Sequence, residues 1–259
     1  MQQYSDKPVR RMRVSFGGKM SPAVRALLIA NCAVFIVQQW IAPNFVTAKE
    51  MAELFGLSAK FFQPWQFLTS MFMHGDFGHI AMNMFALFLL GKDVERGLGT
   101  RRFVFLYGSA GIFAGLCHIL VSPDIPAIGA SGAVFGVLVA FAVLFPQRKF
   151  WFVLPAKYFV LGYIALETFM MVVGKEDGIA HAAHLGGAAW GFLFMKARPV
   201  FDQLTAKRAE TRQLRGYEDA RQTKRRIDDL LEKISREGIA SLSDEERNFL
   251  TKASKDLRP

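Results

Sequence analysis

Six apolar runs divide the first 200 residues of this chain, and they constrain its fold more than any other feature of the sequence. Hydrophobic residues make up 52% of the 259 residues, and Phe alone occurs 25 times, although the last quarter of the chain is strongly polar. Apolar residues are therefore concentrated to a degree typical of helices that cross a bilayer. The runs that we interpret as membrane-spanning helices are residues 23–41, 79–90, 103–121, 130–145, 158–173 and 180–195.

Several of these runs are shorter than the ~20 residues that a helix needs to cross the hydrocarbon core. The run at 79–90 is the weakest, and it qualifies only if residues 91–97 continue the helix toward the interface. Short helices fit a bundle that thins the bilayer or opens a water-filled cavity. A soluble protein with six buried helices is the competing interpretation. It is disfavoured because residues 23–41 and 103–121 contain one ionisable side chain each.

The basic residues predict the orientation of the spans. Loops on one side carry twelve Lys or Arg residues, and loops on the other side carry three. Because cytoplasmic loops retain positive charge, we predict a multi-pass protein of the cytoplasmic (inner) membrane with both termini in the cytoplasm. We interpret the net charge of +10 as this topology signal plus a basic tail, and we expect no nucleic-acid partner. The N-terminal segment does not resemble a cleavable signal peptide, so the first span is predicted to be a retained anchor.

The composition predicts three parts. Residues 1–20 form a basic cytoplasmic segment, residues 21–200 a six-helix membrane domain, and residues 201–259 a soluble, charged tail. In the tail, one helical pattern ends at Gly238 and a capping box that begins at Ser243 starts another helix. We predict a small helical hairpin of two short helices. It either docks on a cytoplasmic partner or on its own kind, or remains mostly solvated.

Seven polar residues within the predicted spans are candidates for a role at a site, because a polar group in a span needs a partner or a task. They are His79, Asn83, His118, Ser131, Glu167, His181 and His184, and His74 lies just outside. Four of them lie near the external ends of their helices, which predicts a cluster there. His118 and Glu167 have no assigned partner, and Glu167 is either protonated or lines the cavity.

Ser131 lies at the start of the fourth predicted span, where the first backbone N–H groups have no partner within the helix. Glycines lie around it and at the start of the sixth span, and such small-residue faces let helix backbones approach closely. These glycines are Gly129, Gly132, Gly136, Gly186, Gly187 and Gly191. Contact between the two spans would bring the hydroxyl to an imidazole of the sixth span, and an imidazole suits the removal of its proton.

His79 and Asn83 are four residues apart, so they share one face of the second predicted span. Both side chains carry hydrogen-bond donors. Together with the backbone N–H of Ser131, they are candidates to stabilise an oxyanion. Taken alone, however, they are equally well explained as a structural pair.

Three segments carry a resemblance to a known family. They are MHGDFGHIAMN at residues 73–83, GASG at 129–132 and AHLGG at 183–187. In this order they resemble the rhomboid family of intramembrane serine proteases, over roughly residues 22–198. The resemblance implies an all-α polytopic membrane protein with a six-helix bundle and an outward-opening, water-filled cavity. It also implies cleavage of transmembrane segments near their external ends by a Ser–His dyad without an acid.

The resemblance also assigns roles to residues. It implies that Ser131 is the nucleophile, that His184 is the general base, and that His79 and Asn83 stabilise the oxyanion. The remaining positions are implied to pack or support the dyad, and they are Gly129, Gly132, Phe135, Gly136, His181 and Gly187. The implied partners are single-pass transmembrane substrates and membrane lipid, with no cofactor and no metal. The chain departs from the family at Gln66, where arginine is common.

Two other functions remain open. Histidines 74, 79, 181 and 184 could ligate zinc or iron in a membrane metalloenzyme, although the sequence contains no HExxH motif and few carboxylates near them. The other alternative is a catalytically inactive relative that binds membrane helices through the same cavity.

Overall fold

The structure, a computed structural model, describes residues 20–150, 154–174 and 180–256, and most of these residues are helical. The predicted segment 1–20 lies outside them except for Met20. The chain forms two compact units, Met1–Lys196 and Ala197–Pro259. The helices are α1 (Pro22–Ile36), α2 (Ala48–Phe55), α3 (Gln66–Thr69), α4 (Phe77–Ala86), α5 (Lys92–Leu98), α6 (Thr100–Val121), α7 (Ser131–Leu144), α8 (Ala156–Val173), α9 (His181–Glu237) and α10 (Asp244–Asp256).

Two helices are lengthened by wider turns. A π-helical turn at Val37–Ile41 and a 3-10 turn at Ala42–Asn44 extend α1, and a π-helical turn at Leu87–Gly91 joins α4 to α5. The short run predicted at 79–90 is therefore part of a helical segment that continues to Leu98, as its length requires.

The structure also contains a pair of two-residue strands, β1 (Lys149–Phe150) and β2 (Leu154–Pro155), which are antiparallel. The all-α prediction missed this ribbon, because two residues are too few to produce an alternating pattern in the sequence.

Within the part of the chain that the structure describes, three helical segments are long and apolar enough to cross a membrane, namely Pro22–Asn44, Thr100–Val121 and Ala156–Val173, and Ser131–Leu144 is a shorter apolar helix. The other two predicted spans contain most of the polar residues discussed above, which lowers their hydropathy. Large apolar side chains point outward from the three long segments. Ile29, Phe105 and Leu161 are each more than 60% exposed. Lipid chains solvate such side chains, whereas water would not, so the chain is a membrane protein.

The unit Met1–Lys196 contains the candidate membrane spans and is called the membrane unit below. Helix α7 lies at its centre. Every residue from Gly132 to Ala142 is buried. Helices α4, α5, α6 and α8 all pack against α7. A helix that is apolar on all sides is expected at such a position.

A buried carboxylate holds the start of α1. Glu95 on α5 accepts hydrogen bonds from the backbone N–H groups of Ala23 at 3.1 Å and Val24 at 2.9 Å. The hydroxyl of Thr100 donates to the same carboxylate at 2.8 Å. First-turn N–H groups have no partner within their own helix, so Glu95 satisfies two donors that would otherwise be buried unpaired.

The tail unit contains the later part of α9, a 3-10 turn at Ile239–Ser241, and α10. Gly238 begins the reversal with a φ of 82°, a backbone conformation that glycine adopts without strain. Ser243 and Glu246 form the predicted capping box, since the backbone N–H of each donates to the side chain of the other. Leu230, Leu242 and Ala253 are buried in this unit.

The prediction of two short tail helices is wrong for the first of them, because that helix is the C-terminal part of the 57-residue α9. Strong helix formers such as Ala, Arg, Lys, Glu and Gln dominate residues 203–237, so the helix does not end within them.

We expect Glu95→Ala to lower the free energy of unfolding by about 1–3 kcal/mol, because two backbone donors lose their acceptor in a buried position. Thermal unfolding of the purified protein in detergent micelles measures this loss. Glu53→Ala is the control, since the side chain of Glu53 pairs only loosely with Lys49 at 3.9 Å. Equal midpoints for the two variants would contradict the role of Glu95.

We also expect the backbone amides of α10 to lose protection against hydrogen exchange at acid pH. The backbone N–H of Ser243, followed by the ammonium of Lys233, lowers the pKa of Glu246 below its ordinary value of 4.5. A lowered carboxyl pKa stabilises the folded state above pH 4.5, and this contribution is lost as the pH falls through the lowered value. Hydrogen exchange of α10, corrected for intrinsic rates, should differ between the wild type and Glu246→Gln at pH 7 and converge near pH 3. Equal protection at pH 7 would contradict this expectation.

Candidate active site

Ser131 and His184 meet at the beginnings of two helices. Ser131 is the first residue of α7, and His184 lies in the first turn of α9. The Oγ of Ser131 lies 2.8 Å from Nε2 of His184, which is hydrogen-bond distance. With the imidazole proton on Nδ1, the hydroxyl donates to Nε2. This is the arrangement in which an imidazole can accept the proton of a serine nucleophile.

Glycines allow these helices to approach closely. A Cβ added at Gly187 would overlap the carbonyl oxygen of Gly132, and one added at Gly191 would overlap the backbone of Gly136. The backbones of α7 and α9 are therefore in direct contact one and two turns beyond the site. The predicted small-residue contact between these two helices is present in the structure.

An aromatic ring fixes the plane of the imidazole. The rings of Phe135 and His184 are stacked, with centroids 4.4 Å apart and planes 11° apart. Tyr163 of α8 stacks against Phe135 in turn, with centroids 5.1 Å apart. Phe135 lies one turn after Ser131, so one helix supplies both the hydroxyl and the ring that orients its partner.

Gly129 brings His79 next to the serine. Its φ of 125° is a conformation that residues with a side chain rarely adopt, and its N–H donates to the carbonyl oxygen of Ser70 at 2.8 Å. A Cβ added at Gly129 would lie 2.7 Å from Nε2 of His79 and 3.7 Å from Oγ of Ser131. The absent side chain thus leaves room for the imidazole of His79 beside the hydroxyl.

His79 and Asn83 lie on α4, which packs against α7. Asp76 caps this helix, because its Oδ1 accepts the backbone N–H of His79 at 2.9 Å. The amide Nδ2 of Asn83 donates to the carbonyl oxygen of His79 at 3.1 Å, and Asn83 is buried. His79 therefore lies beside Ser131, and Asn83 lies one turn further along α4.

Glu167 is the buried residue whose partners the sequence left unassigned. Its Oε2 lies 2.6 Å from Nδ1 of His181 and 3.0 Å from Nδ1 of His184. His184 therefore lies between a hydroxyl at Nε2 and a carboxyl group at Nδ1. The available signal in the sequence was the presence of a carboxyl group in an apolar span, which is costly without a partner.

Buried polar side chains hold the two connections that lie between α2 and α4. Nε2 of Gln66 donates to the carbonyl oxygens of Glu53 at 2.8 Å and Phe61 at 3.0 Å, and its Oε1 accepts the N–H of Gln63 at 3.2 Å. Gln66 is fully buried, so it anchors the segment between α2 and α3, and this is the position at which the sequence was predicted to depart from the family.

His74 lies in the second of these connections, between α3 and α4. Burial, followed by the neighbouring His79, lowers the pKa of His74 to about 4. The ring is then neutral at pH 7, and its Nδ1 lies 3.2 Å from the carbonyl oxygen of Phe72. Gln38 exchanges two hydrogen bonds with the backbone of His74, at 2.6 and 3.1 Å. His118, the other histidine left unassigned, has Nε2 2.7 Å from the carbonyl oxygen of Ile125.

Among the described residues, Glu167, His181 and His184 form a group whose candidate metal-ligand atoms lie within 4.8 Å of one another. The two contacts within this group, at 2.6 and 3.0 Å, are shorter than the roughly 3.4 Å between donor atoms around a tetrahedral zinc ion. They fit N–H···O hydrogen bonds.

Comparison with known proteins identifies the family. The family described as "Rhomboid domain" matches residues 62–198, which is more than half of the chain. Residues 217–256, in the tail unit, match a second family, described as "Family of unknown function (DUF6576)".

Three relatives illustrate the extent of the likeness. "Presenilin-associated rhomboid-like protein, mitochondrial" of Mus musculus is 33% identical over 49% of this chain and 36% of its own length. "Rhomboid protein 1, mitochondrial" of Saccharomyces cerevisiae is 37% identical over 49% of this chain and 40% of its own length. "Rhomboid protease GluP" of Bacillus subtilis is 35% identical over 49% of this chain and 25% of its own length.

This chain thus spans well under half the length of each of these relatives. Residues 62–198, which match the family, include Ser131, His184 and the glycines between them. On the match to the family described as "Rhomboid domain", the chain is a member of the rhomboid family of membrane proteins.

Proposed function

We propose that this protein is an intramembrane serine endopeptidase that cleaves transmembrane segments near their external ends. The observation that carries the proposal is the 2.8 Å contact between Oγ of Ser131 and Nε2 of His184. A helix N-terminus, a stacked aromatic ring and a second imidazole surround this pair. Family membership supports the same function, and one of the relatives is named a protease.

The proposed reaction follows from these positions. Oγ of Ser131 attacks the carbonyl carbon of the scissile peptide bond while its proton moves to Nε2 of His184. The resulting oxyanion forms near the start of α7, where His79, Asn83 and the backbone N–H of Ser131 supply hydrogen-bond donors. His184 returns the proton to the leaving amine, and it then activates the water that hydrolyses the acyl-enzyme.

The proposed substrates are single-pass membrane proteins. Their helices must unwind for an extended backbone to reach Ser131, and unpaired backbone groups are costly in lipid. We therefore propose a preference for segments with Gly, Pro or small polar residues near the external end.

The loops rich in Lys and Arg favour an orientation in which both termini and the β1–β2 ribbon lie on the same side of the membrane. In a cytoplasmic (inner) membrane this side is the cytoplasm. Two of the relatives have mitochondrial names and one is bacterial. We propose the cytoplasmic (inner) membrane as the location of this protein. A cytoplasmic partner of the tail remains a prediction.

Both alternative functions are less well supported than the protease, and the metalloenzyme is the first of them. Among the described residues, the group of candidate metal-ligand atoms contains His181 and His184 together with Glu167, and neither His74 nor His79 belongs to it. An inactive helix-binding relative would not need the contact between Ser131 and His184.

We expect Ser131→Ala to reduce cleavage of a model transmembrane substrate in proteoliposomes by about 10³-fold or more, because the nucleophile is lost. The wild type should also react with a fluorophosphonate probe at Ser131. Ser122→Ala, in the loop after α6, is the matched control and should retain both properties. A Ser131→Ala variant that cleaves at the wild-type rate would refute the proposed function.

We expect Gly187→Ala to reduce cleavage by about 10²-fold, because even a Cβ atom overlaps the carbonyl oxygen of Gly132 and must displace α9 from α7. The control is Gly108→Ala on α6, since a Cβ at Gly108 meets nothing within 4 Å. Cleavage rates and unfolding midpoints should be measured for both variants. Wild-type activity in Gly187→Ala would show that the contact between the two helices does not set the geometry of the site.

A further inference from the structure

Glu167 has an unusual position for an acidic residue. It lies on α8, whose buried residues are Ala156, Val160 and Glu167, while most of the remaining side chains are apolar and exposed. The carboxyl group is 5% exposed, within a segment that is long and apolar enough to span a membrane. A carboxyl group at such a position is costly unless its oxygens are hydrogen-bonded, so its partners indicate its role.

The partners of Glu167 are two ring nitrogens of the same kind. Nδ1 of His181 and Nδ1 of His184 both lie within hydrogen-bond distance of Oε2, at 2.6 and 3.0 Å. An ionised carboxylate can only accept hydrogen bonds. Both Nδ1 atoms must therefore carry a proton when Glu167 is ionised.

When Glu167 is ionised, this requirement selects the tautomer of His184. Neutral imidazole carries one proton, so a proton held on Nδ1 leaves the lone pair of Nε2 free. Nε2 is the atom that lies 2.8 Å from Oγ of Ser131. The carboxylate thus selects the tautomer in which His184 can accept the proton of the serine. It also lies where it can stabilise the imidazolium that forms when the proton arrives.

His181 complements this arrangement from the other side of the carboxylate. It lies three residues before His184, almost one turn away on the same helix, and the two rings are nearly perpendicular, with centroids 6.4 Å apart. Its bond to the same Oε2 holds the carboxyl group against α9. Stacking on Phe135 then limits rotation of the His184 ring.

We propose that Glu167 is a positioning residue that acts through His184, so that the site works as a Ser131–His184–Glu167 triad rather than as a dyad without an acid. This inference rests on the proposed function, since it concerns the base of that reaction. It adds a third group that the resemblance to the family did not supply.

The test compares two substitutions that separate charge from hydrogen bonding. Glu167→Gln keeps an oxygen that can accept from Nδ1 but removes the negative charge, and Glu167→Leu removes both at similar volume. The matched control is Thr168→Val, on the exposed side of the same helix, where the Thr168 hydroxyl donates only to the carbonyl oxygen of Ile164. Each full-length variant is purified in detergent and assayed with a model transmembrane substrate.

We expect Glu167→Leu to lower kcat by about 10²-fold or more with KM nearly unchanged, and Glu167→Gln to have an intermediate effect. The rate of fluorophosphonate reaction at Ser131 should fall in parallel, because that reaction requires the base but no substrate helix. Thr168→Val should match the wild type in both assays.

A spectroscopic readout separates positioning from a merely structural role. In ¹⁵N-histidine NMR spectra, the wild-type His184 signal, identified by its loss in His184→Asn, should show a protonated Nδ1 and an unprotonated Nε2. In Glu167→Leu the proton should redistribute between the two nitrogens. An unchanged tautomer in that variant would overturn the proposal even if the variant is unstable.

The remaining outcomes are also decisive. Wild-type kcat in Glu167→Leu, or in Glu167→Gln when only the Leu variant is unstable, would overturn the proposal. So would wild-type activity that a chelator abolishes and Zn²⁺ restores, since the cluster would then be a metal site. Should Ser131→Ala cleave normally, the proposed function fails. If instead Ser131→Ala is inactive while both Glu167 variants remain fully active, only this inference fails.

Discussion

Direct backbone contact between α7 and α9 is the constraint on which the rest of the site depends. Helices separated by ordinary side chains lie about 8–10 Å apart, whereas glycine on both sides lets the peptide groups themselves touch. Gly132 and Gly136 meet Gly187 and Gly191 in this way. Ser131 has a short side chain, so it can reach His184 only if the two helices are this close. The same two glycines of α7 also contact alanine methyl groups of α6, which leaves the central helix little room to move away from α9.

A second constraint is the cost of polar groups in an apolar unit, and three buried acidic side chains meet it with specific partners. Glu95 accepts from the first turn of α1, Asp93 accepts from the guanidinium of Arg148 at 2.6 Å, and Glu167 lies within hydrogen-bond distance of two imidazoles. Removing one partner of such a group leaves a buried charge or donor without compensation, and this costs more than the intact pair contributes. These contacts therefore fix how neighbouring helices are rotated against each other, in addition to any role in chemistry.

Loops complete the site by fixing the ends of its helices. Gln66 binds three backbone groups around the turn before α3, and Gln38 binds the backbone of His74 just before α4. The peptide of Gly129 is tied to Ser70, which sets the entry of the chain into α7. The planar amide of Gln66 supplies both donors and an acceptor, so one buried side chain satisfies backbone groups of both kinds.

The sequence alone predicts helices at the six apolar runs, the placement of Ser131 at the start of one of these helices, and the glycine faces through which two of them make contact. These features are local, because helical periodicity and a motif such as GASG are written in consecutive residues. The prediction from the sequence missed the two-residue strands and the continuity of α9, and it assigned no partner to Glu167. The contacts of Glu167 with His181 and His184 are visible only in the tertiary structure. Glu167 and His184 lie on different helices, and whether their side chains meet depends on the rotation and separation of those helices. Packing against α7 fixes both quantities, and no local pattern in the sequence encodes them.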